Sequence, residues 1–220
     1  MNATLRQRAL AAMLGLPLPA PAPAPRQFPL CAEPGQIILL TGDSGSGKTT
    51  LLRALRGRIA ADGGEPFILG NAEGDWNDAP SLADAFPNLP LAEAVAILSK
   101  AGLSDARTLL LPPNALSAGQ RFRFHLARFF ASGAAVLLAD EWAATLDRAT
   151  AKIVSHQLRL FIIHSAATPH PRSAILATTH TDLLADLQPD TIITHHLDFS
   201  ITVEGAREKR PRRPRSIRHS

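Results

Sequence analysis

Apolar residues cluster along the chain in two different periods. IILL (37–40), AAVLLA (134–139) and the start of AILATTH (174–180) are short runs with no polar face, the pattern of strands buried in a sheet. LLRALRGRI (51–59) spaces its leucines three and four apart, the helical period. A second helical stretch is expected around 91–101, closed by Gly102, with a shorter one after Ser104. A third, rich in Phe and Arg, follows in LSAGQRFRFHLARFF (116–130). Between the first strand and the first helix lies a glycine-rich turn, TGDSGSGKTT (41–50), across which the period changes.

That context gives the turn its chemistry. Gly42, Asp43, Ser44, Gly45, Ser46, Gly47, Lys48, Thr49 and Thr50 match the spacing G-x-x-x-x-G-K-[ST]. A loop with few side chains can wrap a phosphate with inward-pointing N–H groups, and the following helix N-terminus adds partial positive charge. Lys48 is placed to reach the β- and γ-phosphates, and the Thr49 hydroxyl to ligate Mg²⁺. The stretch reads as a site for a nucleoside triphosphate. The apolar run 134–139 ends in Asp140 and Glu141. Such a strand sets Asp140 beside the loop, within the Mg²⁺ shell, and aims Glu141 at the γ-phosphate as the base for an attacking water.

Ser117, Ala118, Gly119 and Gln120 open a second long helix, and so form a second anion-binding helix end. One chain has one triphosphate at its own loop. A dimer in which this end caps the partner's nucleotide reconciles the two. LSAGQ (116–120) resembles the signature of ATP-binding cassette (ABC) ATPases, usually LSGGQ, with Ala118 in place of a glycine. EWAATLD (141–147) resembles the family's catalytic glutamate and D-loop, with Asp147 as the acid that crosses the dimer interface. The usual proline, threonine and serine there are replaced by Trp142, Ala143 and Ala144. AILATTH ends in His180, matching the family's switch histidine that contacts the γ-phosphate. His195 and His196 have no matched carboxylates or cysteines and read as structural or solvated. The resemblance covers residues 28 to about 200. It implies an α/β fold: a P-loop NTPase core of the ABC type, with a mixed or parallel sheet flanked by helices. It also implies ATP and Mg²⁺ as ligand and cofactor, ATP hydrolysis, and a homodimer or heterodimer of cassettes.

The chain departs from the pattern between the loop and the signature. Residues 51–115 contain no glutamine to form the family's glutamine loop; Asp84 is the nearest stand-in by position. Only 69 residues separate Lys48 from Ser117, so the helical lobe, about 81–132, is expected to be reduced. There is no tyrosine to stack on adenine, and Phe28 is a weak substitute. In transporters the glutamine loop and lobe receive the membrane subunit. These losses favour a cytoplasmic ABC ATPase that switches an unknown protein partner and is not coupled to a transporter. In spelling, DEWAATLDRATAKIVSHQLR and THTDLLADLQPD look like ABC-type ATPases linked to predicted acetyltransferase domains. The alternative is the ATP-binding subunit of a membrane transporter, and a second is an ATP-switched nucleic-acid-binding module.

Composition adds limits. With 220 residues, 45% hydrophobic, the chain suits one sizeable core with a small appended lobe. A single cysteine, Cys31, forms no internal disulfide, which fits a reducing compartment. LRQRALAAMLGLPLPA (5–20) places arginines before an apolar patch as export signals do, but two prolines interrupt it. Residues 1–27 therefore read as a helical arm and a stiff Pro-Ala linker, and 28–204 as the ATPase domain. Residues 205–220 read as a disordered basic tail. From Arg207 to Arg218 it holds seven basic residues against Glu208, a charge of +6 that leaves −2 on residues 1–206. Such a tail reads either as a solvated end or as a docking segment for nucleic acid or an acidic partner. Truncation after Gly205 is expected to leave basal ATP turnover within about twofold, because exposed charges are screened over roughly 10 Å at 0.1 M salt. Filter retention of RNA by the full chain should fall steeply with salt and vanish on truncation; retention by the truncated chain would place the basic surface elsewhere.

Overall fold

The computed structural model describes residues 4–15, 32–70, 75–196 and 200–205. Cys31, Phe28, the Pro-Ala linker and the basic tail lie outside the described residues. The arm is a helix, α1 (Leu5–Leu14), opened by a Thr4–Gln7 capping box, and none of its residues is buried. There follow β1 (Ile37–Gly42), α2 (Lys48–Ala61), β2 (Phe67–Ile68), α3 (Leu91–Lys100), α4 (Ala106–Leu109), α5 (Ala118–Ala131) and β3 (Val136–Ala139). The chain then forms α6 (Arg148–Ser165), β4 (Ser173–Ala177), α7 (Leu184–Leu187), β5 (Thr191–His195) and β6 (Ile201–Gly205). Gly102 closes the turn after α3 with φ +86°, a left-handed conformation that favours glycine.

These strands form one mixed sheet in the order β2-β3-β4-β1-β5-β6. The first five run parallel, and β6 returns antiparallel to β5. The apolar runs alternate between its two faces. Ile37, Leu39, Leu137, Ala139, Ala174 and Leu176 pack toward the core formed by α5 and α6, including Phe124, Phe129, Val154 and Leu158. Ile38, Leu40, Leu138, Ile175 and Ile193 face the opposite way, onto Leu51, Leu52 and Leu55 of α2. Both faces are covered, so β1, β3 and β4 carry apolar residues on each side of the sheet. A strand ladder of this kind puts the carboxyl ends of β1, β3, β4 and β5 on one edge, where doubly covered sheets hold their ligands.

At the other edge an ion pair joins three elements. Asp190, just before β5, accepts two bonds from the Arg159 guanidinium of α6 (2.6 and 3.1 Å) and one from the Ile37 N–H of β1 (2.9 Å). Its own N–H donates to the Ile37 carbonyl at 2.8 Å. Arg159 is 3% exposed. A buried pair of this kind contributes less to net stability than to fixing one arrangement, because desolvation offsets much of the attraction.

A separate aromatic group ties α5 to the turn at Asp75–Asp78. Trp76 meets the His125 ring edge-on at 5.1 Å, lies 5.4 Å from Phe124, and carries the Arg128 guanidinium 4.1 Å over its face. His125 is 2% exposed and its Nδ1 has no partner. Burial, with Arg128 and Arg121 nearby, pushes its pKa from 6.5 down to about 4. The folded protein thus binds this proton more weakly than the unfolded chain. Its contribution is complete above about pH 6.5 and is lost as pH falls toward 4, by up to about 3 kcal/mol. His125→Leu should flatten the fall in melting temperature between pH 6.5 and 4 relative to the parent chain. An unchanged slope would mean that His125 is not held neutral in the fold.

Candidate nucleotide site

The candidate site lies on the edge where the parallel strands end. After Gly42 the chain turns through Gly45 (φ +84°) and Gly47 (φ +100°) into α2. Gly47 stands at the N-cap of α2 without a side-chain cap, so the first turn's N–H groups are left for a ligand. Lys48 Nζ donates to the carbonyls of Gly42 and Asp43, both at 2.7 Å, and so lies folded along the loop. Position 42 has a stricter requirement. At φ +123°, a Cβ there would stand 2.0 Å from the His195 carbonyl oxygen of β5.

A cleft of about 480 Å³ opens over this loop. Ser44, Gly45, Gly47, Lys48, Thr49 and Thr50 line one side. Asp140 and Glu141 enter from the end of β3, and Thr178, Thr179 and His180 from the end of β4. The register explains the convergence: Ala139 pairs with Leu176 and Leu40 with Ala177, so the residues after each strand emerge together. Asp140 Oδ1 accepts the Glu141 N–H at 3.1 Å, and the His180 N–H donates to Thr178 Oγ1 at 3.1 Å. The cleft therefore combines backbone donors and a lysine for phosphate with two carboxylates, a histidine and a threonine hydroxyl. That set can hold a triphosphate and place a base near its end.

Several sequence-predicted residues stand outside the cleft lining. Ser46 is 1% exposed; its carbonyl meets His195 Nδ1 at 3.1 Å beneath the loop. His195 is thus a buried support of the loop, the structural of the two roles the sequence allowed it. Ser117, Ala118, Gly119 and Gln120 form the first turn of α5. There Ser117 Oγ accepts the Gln120 N–H (3.3 Å) and Gln120 Oε1 accepts the Ser117 N–H (3.0 Å). Asp147 caps α6, accepting from the Thr150 N–H at 2.9 Å; the Thr150 hydroxyl and amide hold its carboxyl below the usual range. Asp84 accepts from Ser81 Oγ at 2.6 Å and does not line the cleft. An ion pair that the sequence did not suggest, Arg148 to Asp182, joins the start of α6 to the turn after His180.

The loop separates binding from folding. Lys48→Ala should abolish the heat of ATP binding in calorimetry with the melting temperature unchanged, because among the described residues Lys48 Nζ bonds to the Gly42 and Asp43 carbonyls of the loop itself. Gly42→Ala should instead destabilise the chain by about 1–3 kcal/mol or more, since the methyl collides with the β5 backbone. A Gly42→Ala protein as stable as the parent would contradict this packing.

A family profile described as "ABC transporter" matches residues 26–144. The cytochrome c biogenesis ATP-binding export protein CcmA of Gluconobacter oxydans (strain 621H) is 34% identical over 167 residues, covering 71% of this chain and 74% of that protein. The lipoprotein-releasing system ATP-binding protein LolD of Maricaulis maris (strain MCS10) is 31% identical over 197 residues, covering 75% and 82%. Among solved structures, the dimeric bacterial ABC transporter cassette MJ0796 superposes with a TM-score of 0.59 at 19% identity, over 81% of this chain and 89% of that one. The phosphate loop, the acidic strand end and the histidine of this cleft thus sit in a chain whose sequence and fold agree: it belongs to the ABC transporter family, as an ATP-binding-cassette ATPase.

Proposed function

We propose that this chain is the ATP-binding subunit of an ABC membrane transporter, hydrolysing Mg-ATP on the cytoplasmic side to drive a membrane partner. The observation that carries the ATPase reading is the convergence of Lys48, Thr49, Asp140, Glu141 and His180 on one cleft. The transport reading is supported by relatives named as an export protein and a lipoprotein-releasing system, each matched over most of the chain. They weigh for the transporter-subunit alternative of the sequence reading, against a cassette working apart from a membrane partner. Among the described residues no helix is long and apolar enough to cross a membrane.

Each residue's part follows from its chemistry. Backbone N–H groups of the loop and Lys48 take the phosphates. The Thr49 hydroxyl and Asp140 carboxylate are hard oxygen donors on the same cleft, the set that suits Mg²⁺. When bound, the ion neutralises charge on the β- and γ-phosphate oxygens. Glu141 accepts the proton of the attacking water, and His180 hydrogen-bonds the γ-phosphate. Ser117, Gly119 and Asp147 serve the partner's site across a dimer.

Glu141→Gln keeps the shape of the side chain and removes the base, which costs on the order of 10²–10⁴ in rate. The variant should bind Mg-ATP, turn it over slowly and run as a dimer in light scattering, while Ser117→Arg returns it to monomer. Turnover at the parent rate would remove Glu141 from the role of base. For transport, the ATP-loaded variant should co-purify from detergent extracts with a multi-span membrane protein. Recovery of soluble partners alone would return the reading to a cassette without a transporter.

A further inference from the structure

Trp142 stands directly after Glu141, and its side chain is fully buried. Its N–H donates to the Ala177 carbonyl at the end of β4 (2.8 Å), a bond that the proline of the family pattern cannot make. Its carbonyl accepts from Thr178 Oγ1 at 3.4 Å. Its indole N–H donates to Ser155 Oγ of α6 at 2.9 Å, and its ring lies edge-on to Phe122 of α5, 5.2 Å between centroids. One residue thus touches β4, α5 and α6 while joined covalently to Glu141.

The backbone on either side is constrained. Glu141 (φ 49°) and Ala143 (φ 58°) are left-handed although both carry a Cβ. Such conformations persist where the surroundings over-determine them, and they cluster at functional sites. The Trp142 anchors supply that determination. The far end of the same loop also meets α5: a Cβ on Gly119 would lie 3.2 Å from the Thr145 carbonyl oxygen and 3.3 Å from Leu146 Cδ2. The loop is therefore fastened to the helix that carries Ser117–Gln120 at two points.

We propose that Trp142 is a positioning residue for hydrolysis, holding Glu141 in its left-handed conformation and tying that conformation to the placement of α5. The proposal rests on the reading of Glu141 as base. In a dimer, α5 caps the partner's nucleotide. Its engagement there reaches Glu141 of its own chain through Phe122 and Trp142, so the two sites are coupled within each subunit. A residue that only filled the core would change stability without separating kcat from KM.

Trp142→Phe keeps an aromatic ring against Phe122 and loses the indole donor; Ser155→Ala removes the acceptor. Each should lower kcat about tenfold, with KM for ATP within about twofold, since small misplacements of a reacting group are costly. The double variant should lose no more than the larger single loss, because both changes break one bond. Unchanged kcat in both singles, or multiplying losses in the double, would overturn the proposal. A second measurement does not depend on altering Trp142. The chain has two tryptophans, so Trp76→Phe leaves Trp142 as the sole indole reporter. In a Glu141→Gln background, its emission should change when Mg-ATP forms the dimer. Constant emission in a dimer verified by light scattering would overturn the coupling. Parent-like turnover in Glu141→Gln would defeat the base assignment; an inactive Glu141→Gln beside fully active Trp142→Phe and Ser155→Ala would defeat this proposal alone.

Discussion

At position 42 the chain passes so close to the β5 backbone that no side chain fits, and the rest of the site follows from that approach. Because β1 ends against His195, the next residues must turn away from the sheet. They do so through glycines whose positive φ brings the loop back over Lys48. The His195 ring fills the space beneath and meets the Ser46 carbonyl. Loop shape is thereby set by strand packing, and the N–H groups at the start of α2 point outward before any ligand arrives. Such preorganisation lowers the cost of ordering donors around a phosphate.

The same sheet explains why distant residues meet. Asp140 and His180 are forty residues apart in the chain, yet β3 and β4 are neighbours in parallel register, so both emerge at one edge. With both faces buried, a one-residue slip would exchange the side chains packed on α2 for those packed on α5 and α6, so the fit of side-chain shapes on each face favours this register. The Arg159–Asp190 pair fixes the opposite edge, holding α6 to the start of β1 and β5. Its bonds make the alignment specific where apolar packing alone would tolerate sliding.

Between these two edges, the loop after β3 forms the junction of sheet and helices. Apolar packing and hydrogen bonds share the work there. The indole of Trp142 buries a large surface, while its N–H groups find partners in β4 and α6. The exposed Arg148–Asp182 pair links the same region to the turn after His180, but ion pairs in solvent contribute little to stability. Rigidity of this junction therefore comes from the buried tryptophan.

The glycine-rich turn before α2, the acidic end of β3, the capped start of α5 and the position of His180 after β4 were legible in the sequence, because each is a local arrangement with its own spacing and its own period of apolar residues. Helices α3 and α4 were legible as well, the first ending at Gly102 and the second following Ser104. Trp142 appeared only as a departure from a familiar spelling, and His195 as one histidine on an apolar run. Asp84 was placed by counting along the chain, and the fold holds it on Ser81, away from the cleft lining. What each of these residues touches depends on contacts between segments far apart in the chain: His195 beneath Ser46, Trp142 between Phe122 and Ser155, Asp190 against Arg159. Local pattern determined which segments are strands, helices and phosphate-binding turns, since backbone preference and amphipathic period act over a few residues. Tertiary structure decided which side chains support those segments, since that depends on strand order and on which atoms meet when the two faces of the sheet are covered.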